Sequence, residues 1–239
     1  MLRAAATALL RPLARRAGFD IVRWRGSVGR DPFDDLKLFV TKASPVLFDV
    51  GGNEGQTVRR LRSTFPGGTI HTFEPGRLAF ERLSRACRKD RLVTPWNLGV
   101  GATTGRLSLE ENSSSVMSSF LPLGRDGWGE IVGRRDVDVV RLDDFAREHD
   151  IDFIDVLKSD TQGSEPQVLQ GADRLLSSGC VGTVLLELIA SQIYEGSPRM
   201  DEVIGYLLDR NYKIVSFYEQ FYQHNMLGWT DVLFVRQPR

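Results

Sequence analysis

A short turn after the apolar run 46–48 carries an acid, an amide and two glycines at alternate positions. These residues are Asp49, Gly51, Asn53 and Gly55, and a helical pattern begins directly after them. Glycine lets a ligand approach the backbone and permits a left-handed turn, and the N–H groups of a helix start attract an anionic group. A dinucleotide fingerprint would place its acid after the next strand instead. The spacing therefore predicts a site for another nucleotide-like cofactor.

Three further acids stand where later predicted strands end. Glu74 follows the second strand, where a carboxylate can accept hydrogen bonds from two ribose hydroxyl groups. Asp160 and Glu187 follow two later strands, and ligands of an open parallel sheet bind beyond the carboxyl ends of its strands. These two candidate catalytic acids allow two interpretations. One of them acts as a general base, or both hold Mg²⁺, which prefers oxygen ligands.

Other candidates for contact with an acceptor lie in predicted loops. His224 is in the aromatic loop 218–229 between the last two strands and is a candidate catalytic base, because histidine is a common general base in enzymes. The aromatic side chains of Tyr194, Tyr222 and Trp128 are candidates for substrate binding, since they can stack on a sugar ring or line a lipid channel. Plain packing is the competing interpretation for such aromatic residues.

Alternating strands and helices must position these residues, which predicts an α/β fold with a parallel sheet. The segment 110–135 is polar, rich in Ser and Gly, and predicted to be the longest irregular stretch, with Trp128 in a lid. The chain divides into an N-terminal helical extension, 1–45, and one domain, 46–239. The predicted strands are 46–50, 69–73, 92–97, 153–159, 183–186, 214–217 and 232–235.

Charge limits the choice of partners. The formal net charge is zero, so no global field attracts nucleic acid. Residues 1–30 nevertheless carry seven arginines and one aspartate among apolar residues at helical spacing. Such a segment packs on the domain, lies on a membrane surface or acts as a targeting peptide. We expect a cytoplasmic protein, peripheral to the inner membrane face if it meets a membrane, and a homodimer by default.

Four segments in this order resemble the FkbM family of S-adenosylmethionine-dependent O-methyltransferases, over roughly residues 45–236. Asn53 stands where class I methyltransferases usually have a glycine, Gly52 where alanine is common, and Ser159 where an apolar residue is common. The segments are Asp49-Val-Gly-Gly-Asn-Glu-Gly55-Gln-Thr57, Phe73-Glu74-Pro75, Asn97-Leu-Gly-Val with Gly105, and Leu157-Lys-Ser-Asp160-Thr-Gln-Gly163-Ser-Glu165.

The resemblance implies a Rossmann-like class I methyltransferase fold, with a mostly parallel sheet of seven strands and an antiparallel last strand. It implies S-adenosylmethionine as the cofactor, with Mg²⁺ at Asp160 and Glu187 as an open alternative. Asp160 would face the sulfonium, and Asn97 would face the adenine or serve only in a turn. The cofactor-binding residues implied are Asp49, Gly51, Asn53, Gly55, Thr57, Glu74, Asn97 and Asp160.

The implied reaction is methyl transfer to a hydroxyl group of a sugar or of a glycosylated lipid or natural product. A sugar hydroxyl is a poor nucleophile, so a base or a cation must activate it. The basic N-terminal segment favours a glycolipid acceptor. Two alternatives remain open, which are a methyltransferase for a small molecule other than a sugar and a non-catalytic protein that binds S-adenosylmethionine.

Overall fold

A computed structural model describes Pro12, residues 14–17 and residues 28–237. Its helices are α1 Pro32–Phe39, α2 Gln56–Thr64, α3 Arg77–Cys87, α4 Leu142–Glu148, α5 Glu165–Gly171, α6 Asp173–Ser178 and α7 Met200–Leu208. Its strands are β1 Val46–Val50, β2 Thr69–Phe73, β3 Val93–Trp96, β4 Gly99–Val100, β5 Gly105–Asn112, β6 Ile131–Val140, β7 Ile154–Ser159, β8 Val181–Ile189, β9 Tyr212–Gln223 and β10 Met226–Arg236.

The central sheet has seven strands in the order β3-β2-β1-β7-β8-β10-β9. The five neighbouring strands β3, β2, β1, β7 and β8 pair in parallel, and β10 pairs antiparallel with both β8 and β9. The predicted α/β fold with an antiparallel last strand is confirmed. Since β1 and β7 are neighbours at the centre, their carboxyl ends meet at one edge of the sheet.

Helices cover both faces of this sheet. Successive residues of a strand point to opposite faces, and the central strands carry apolar residues on each face. Leu47 of β1 packs in one hydrophobic cluster, together with Leu36 of α1. Phe48, the next residue, packs in the opposite cluster, where its ring lies 5.7 Å from that of Phe145 in α4. Both β1 residues are fully buried, so the strand that leads into the glycine turn is held from two sides.

Helix α1 lies in the predicted extension 1–45, and it packs into the core of the domain. Phe33 and Leu36 are buried in the cluster that contains β1 residues. The buried carboxylate of Asp35 accepts a hydrogen bond of 2.7 Å from the Tyr218 hydroxyl. The predicted amphipathic segment lies almost entirely outside the described residues, and its three interpretations stay predictions. Among the described residues, no helix has the length and apolar character needed to cross a membrane.

The segment predicted to be irregular, 110–135, contains strand residues at both ends. Strand β5 continues to Asn112 and pairs antiparallel with β6, and β6 pairs with β4 to complete a three-stranded sheet. Two ion pairs connect β5 and β6, Glu110 with Arg134 and Glu111 with Arg135. Cross-strand charge pairs stabilise a ladder whose residues are mostly polar, and such a ladder shows little hydrophobic alternation in the sequence.

The predicted aromatic loop 218–229 is also mostly strand. Strands β9 and β10 run through it as a long hairpin, whose turn contains His224 and Asn225. Both residues have positive φ, 51° and 63°, as a tight hairpin turn requires. Asn tolerates this conformation well, but a His–Asn pair is a weaker hairpin signal than Asn–Gly.

We predict that Gly51→Ala destabilises the protein by at least about 3 kcal/mol, because of backbone strain and overpacking. Gly51 has a φ of +82°, and an added Cβ would lie 1.8 Å from the Asp160 carbonyl oxygen. Gly205→Ala is the matched control, since its added Cβ meets no atom within 4 Å. In a helix interior this change should stabilise by about 0.5–1 kcal/mol. Urea unfolding measures the free energy of unfolding of both variants. Equal values for the two variants would contradict the prediction.

Candidate functional site

A cleft at the carboxyl edge of the sheet brings together the ends of β1, β2, β4 and β7. It contains about 630 Å³ of space between atoms, part of it open to solvent. The segment 115–120, which joins β5 to β6, forms the opposite wall. The residues that line the cleft are Val50, Gly51, Asn53, Phe73, Glu74, Pro75, Leu98, Gly99, Val100, Leu109, Ser115, Val116, Ser118, Ser119, Phe120, Asp160, Thr161 and Gln162.

The turn after β1 is held against the end of β2. The N–H groups of Gly51 and Gly52 both donate to the Phe73 carbonyl, at 3.0 and 2.9 Å. Asn53 has a φ of 44°, and its N–H donates to Glu74 Oε2 at 2.8 Å. The Asn53 side-chain oxygen accepts a hydrogen bond of 3.1 Å from the Ser115 hydroxyl. The turn and the opposite wall of the cleft are therefore connected through Asn53.

Asp49 lies beneath the turn and not among the residues that line the cleft. It is fully buried, and its Oδ2 accepts a hydrogen bond of 2.9 Å from the Thr72 hydroxyl. Its Oδ1 is 3.6 Å from the Lys158 ammonium. Burial raises the pKa of Asp49, and the Lys158 ammonium opposes that shift. Asp49 was predicted to bind the cofactor. In the structure it lies below the turn and supports it instead.

Asp49 and Thr72 also explain why a glycine stands at position 52. A Cβ added to Gly52 would lie 2.1 Å from the Thr72 hydroxyl oxygen and 3.4 Å from Asp49 Oδ2. The hydrogen bond between Thr72 and Asp49 thus uses the space that an alanine methyl group would need. The glycine at this position follows from a side chain on the neighbouring strand.

Glu74 is the acid that faces the cleft at the end of β2. Its two carboxylate oxygens accept hydrogen bonds from the N–H groups of Gly76 and Asn53, at 2.7 and 2.8 Å. Burial raises the pKa of Glu74 to about 7, against the effect of these two hydrogen bonds. Each oxygen keeps a second lone pair, so the carboxylate can still accept from the two hydroxyl groups of a ribose.

Three more predicted cofactor residues, Gly55, Asn97 and Thr57, do not line the cleft. Gly55 has a φ of 86° and directly precedes α2. The Asn97 side-chain amide donates to the carbonyl groups of Glu74 and Pro75, at 2.8 and 3.1 Å. This arrangement corresponds to the turn role that was the alternative for Asn97. Thr57 lies in the first turn of α2, outside the lining.

At the other end of the cleft, Gln162 joins the two predicted catalytic acids. Its side-chain N–H₂ group donates to Asp160 Oδ1 at 2.8 Å and to Glu187 Oε2 at 2.9 Å. Its side-chain oxygen accepts a hydrogen bond of 2.7 Å from the Tyr194 hydroxyl. The Lys158 ammonium lies 3.4 Å from Asp160 Oδ2. The structure therefore brings together three predicted residues, Asp160, Glu187 and Tyr194, through two that were not predicted.

The two acids differ in their surroundings. Burial opposes ionisation of Asp160, but the Lys158 ammonium and hydrogen bonds such as that from Gln162 outweigh it, so the pKa of Asp160 is lowered. Burial and the nearby Asp160 raise the pKa of Glu187 well above its usual value. Burial also opposes the charge of Lys158, yet Asp160 and Asp49 raise its pKa. The pKa values of the two acids therefore shift in opposite directions, and the Lys158 ammonium lies beside the acid whose pKa is lowered.

This arrangement does not fit a cation between Asp160 and Glu187. A Mg²⁺ ion there would have to displace the Gln162 amide and lie beside the Lys158 ammonium, which repels it. The described residues contain no group of three His, Cys, Asp or Glu that could hold a metal ion. Mg²⁺ at these acids stays a prediction that the donor groups present do not favour.

The remaining predicted residues lie outside the cleft. His224 is exposed at the tip of the β9–β10 hairpin, and Tyr222 on β9 is 64% exposed. Trp128 is half-exposed, with its ring 5.6 Å from the ring of Trp229. Tyr194 is buried and borders a second, open cleft that also contains Ser191, Gln192, Ser197 and Arg199.

Sequence reasoning missed Lys158, Gln162 and the wall around Ser115. Lys158 and Gln162 belong to a quoted motif, and a lysine inside a strand predicted to be buried was the available signal for Lys158. The polar segment that includes Ser115 was predicted to contain a lid, but on the basis of Trp128. The segment around Ser115 reaches the cleft because of how β5 and β6 pair, and the local sequence of the segment does not indicate that pairing.

Comparison with known proteins agrees with this geometry. A family model described as the methyltransferase FkbM domain matches residues 49–214 of the chain. The chain is 25% identical over 200 residues to the 2-O-methyltransferase NoeI of Sinorhizobium fredii, covering 74% of this chain and 79% of that protein. It is 27% identical over 172 residues to the hexuronic acid methyltransferase AglP of Haloferax volcanii, covering 70% of this chain and 66% of that protein.

A solved structure shows the same fold at low sequence identity. It is that of an rRNA methylase from Streptococcus thermophilus, which matches with a TM-score of 0.50 and 12% identity, covering 87% of this chain and 95% of that one. The likeness supports the Rossmann-like architecture described above.

We predict that S-adenosylhomocysteine binds about tenfold more tightly at pH 8 than at pH 6. The pKa of Glu74 is about 7 in the free protein, so this carboxyl is mostly protonated at pH 6. Hydrogen bonds from ribose hydroxyls favour the ionised form, and binding at low pH must first remove the proton. Calorimetric titration at both pH values measures the ratio.

The variant Glu74→Gln should bind weakly and lose this pH dependence, because its side chain does not titrate. Glu81→Gln is the matched control, since Glu81 is an exposed acid on α3, and it should keep the wild-type ratio. A pH dependence in Glu74→Gln equal to that of the wild type would contradict the assignment.

Proposed function

The chain belongs to the FkbM family of S-adenosylmethionine-dependent methyltransferases, and from this premise we propose that it methylates a hydroxyl group of a sugar. The observation that carries the proposal is a single cleft with Glu74 at one end and Asp160 and Gln162 at the other. One end suits a ribose, and the other offers a carboxylate where a hydroxyl group would lose its proton.

The residues of the cleft fit the family's cofactor. Gly51 lines the cleft with backbone that carries no side chain, at positive φ, and Glu74 in the same cleft offers free lone pairs. The bound cofactor supplies an electrophilic methyl group on a sulfonium, and the protein supplies alignment and removal of a proton. Asp160 is the cleft-lining acid whose pKa is lowered, so it is ionised at neutral pH.

Asp160 is the group that we propose to accept the proton of the acceptor hydroxyl. As the hydroxyl oxygen bonds to the methyl carbon, the carbon–sulfur bond breaks and the hydroxyl proton passes to a base. Asp160 has Lys158 behind it and Gln162 beside it, so its carboxylate is held by two partners at the edge of the cleft. His224, the other candidate base, is exposed at a hairpin tip.

A sugar acceptor is supported by the polar side chains near Tyr194. The open cleft beside Tyr194 contains hydroxyl, amide and guanidinium groups that can bind several hydroxyl groups. The name of AglP, a hexuronic acid methyltransferase, points to the same class of acceptor, and that of NoeI to O-methylation. A glycolipid acceptor at the inner membrane face rests on the basic N-terminal segment. A small molecule other than a sugar and binding without turnover remain the alternatives.

Incubation with S-adenosylmethionine and panels of sugars, phenols and amines tests the reaction by mass spectrometry. We expect a mass gain of one methyl group on a sugar, and Asp160→Asn should lower kcat by at least about 100-fold. The exposed Asp34→Asn serves as the control and should keep full activity. Methylation of a phenol or amine alone would replace the sugar proposal. Binding of S-adenosylhomocysteine without any product would favour the non-catalytic alternative.

Removal of divalent cations distinguishes the two interpretations of Asp160 and Glu187, a general base or a pair of Mg²⁺ ligands. Because Gln162 and Lys158 already engage Asp160 and Glu187, we expect the rate of methylation to be unchanged in excess EDTA. A rate that falls in EDTA and recovers when Mg²⁺ is added would show that a cation displaces the Gln162 amide during the reaction.

A further inference from the structure

Gln162 occupies a constrained position in the loop after β7. Its φ of 56° is in the left-handed region, which costs a non-glycine residue energy. Its carbonyl oxygen accepts a hydrogen bond of 2.7 Å from the Ser119 hydroxyl. The Glu165 carboxylate accepts from the N–H groups of Thr161 and Gly163, which flank Gln162 in sequence, at 2.7 and 3.0 Å. The backbone of Gln162 is thus fixed by groups on both sides of the loop.

The orientation of the Gln162 amide follows from its partners. Two carboxyl groups, those of Asp160 and Glu187, lie against the nitrogen, and the Tyr194 hydroxyl lies against the oxygen. A flipped amide would place its oxygen against the Asp160 carboxylate, where two acceptors would repel each other. Because a hydroxyl can donate, the Tyr194 contact satisfies the oxygen in the observed orientation.

Tyr194 is itself held in place. Its side chain is 2% exposed and packs with Met117, Ile189 and Ile193. Its hydroxyl is also 3.3 Å from the Met117 carbonyl, in the short 3₁₀ turn on the opposite wall of the cofactor cleft. Tyr194 therefore couples the amide of Gln162 to the wall that covers the cleft.

We infer that Gln162 is a positioning residue, whose amide, oriented by the Tyr194 hydroxyl, holds the Asp160 carboxylate toward the acceptor side of the cleft. The inference rests on the proposed methyl transfer for its chemical meaning. The amide gives Asp160 a fixed partner on Oδ1, while Lys158 holds Oδ2. With both oxygens engaged, the carboxylate keeps one orientation when an acceptor hydroxyl arrives. Loss of this orientation should slow the chemical step and leave cofactor binding intact.

The test compares Gln162→Met, which keeps the length of the side chain and removes its hydrogen bonds, with Tyr194→Phe, which removes only the hydroxyl. We expect kcat to fall about 100-fold in Gln162→Met, as for a misplaced catalytic group, and less in Tyr194→Phe. The affinity for S-adenosylhomocysteine should stay within about threefold of the wild type, a change below 1 kcal/mol. Gln170→Met, an exposed position on α5, is the matched control and should keep wild-type kcat.

A double variant distinguishes positioning from a general loss of structure. If Gln162 acts through Asp160, Gln162→Met should add little to the loss in Asp160→Asn, because the group it positions is already inactive. If the fold losses in kcat of the two single variants multiply in the double variant, the inference is overturned. An unchanged kcat in Gln162→Met with the wild type active would overturn it as well.

Crystal structures of the wild type and Gln162→Met, each with S-adenosylhomocysteine, provide a readout that needs no acceptor. The inference predicts that the Asp160 side chain adopts a different rotamer or becomes disordered in the variant. An identical Asp160 rotamer in both structures would overturn it. If the wild type methylates no acceptor, the proposed function fails, and the Asp160 rotamer still decides the positioning role of Gln162.

Discussion

The ammonium group of Lys158 is the charge on which the carboxyl edge of the sheet depends. It lies between Asp49, beneath the glycine turn, and Asp160, at the end of the next strand. Without this cation, the buried Asp49 carboxyl group would lack compensation, and removal of one partner from a buried ion pair is strongly destabilising. The pairing holds the ends of β1 and β7 together, and Gly51 then packs directly against the backbone of Asp160.

Two other buried acids organise the loops around this centre. Glu74 accepts from the backbone at Asn53 and Gly76, and Glu165 accepts from the backbone of the loop that contains Gln162. Burial raises the pKa of each of these carboxyl groups to about 7. Their hydrogen bonds to backbone N–H groups hold the loops in shape without a ligand. The site is therefore largely preorganised, which lowers the entropy lost when a cofactor binds.

The accuracy of the sequence predictions followed the local pattern of each element. The bounds predicted for β1, β2 and β7 agree with the structure to within one residue, since both sides of a central parallel strand face the core and apolar residues mark its position. The ends of β5 and β6 were predicted to be irregular because charged pairs stabilise them and hydrophobic alternation is weak there. The inner parts of β9 and β10 were predicted as strands, but the outer part of the hairpin, 218–229, was predicted as an aromatic loop, since it carries aromatic residues without a strong turn signal.

The sequence by itself determined the type of fold, the glycine turn and the acids Glu74 and Asp160 that follow β2 and β7, because these depend on short-range patterns and on the geometry of parallel strands. Glu187 was predicted to follow its strand, but it lies inside β8, which continues to Ile189. Only the tertiary structure decided which way the acids face. Asp49 points beneath the turn, and Glu187 meets Gln162, because of contacts between side chains on different strands and loops. Such contacts depend on strand order and on how each loop folds over its neighbours, and no local sequence pattern specifies them.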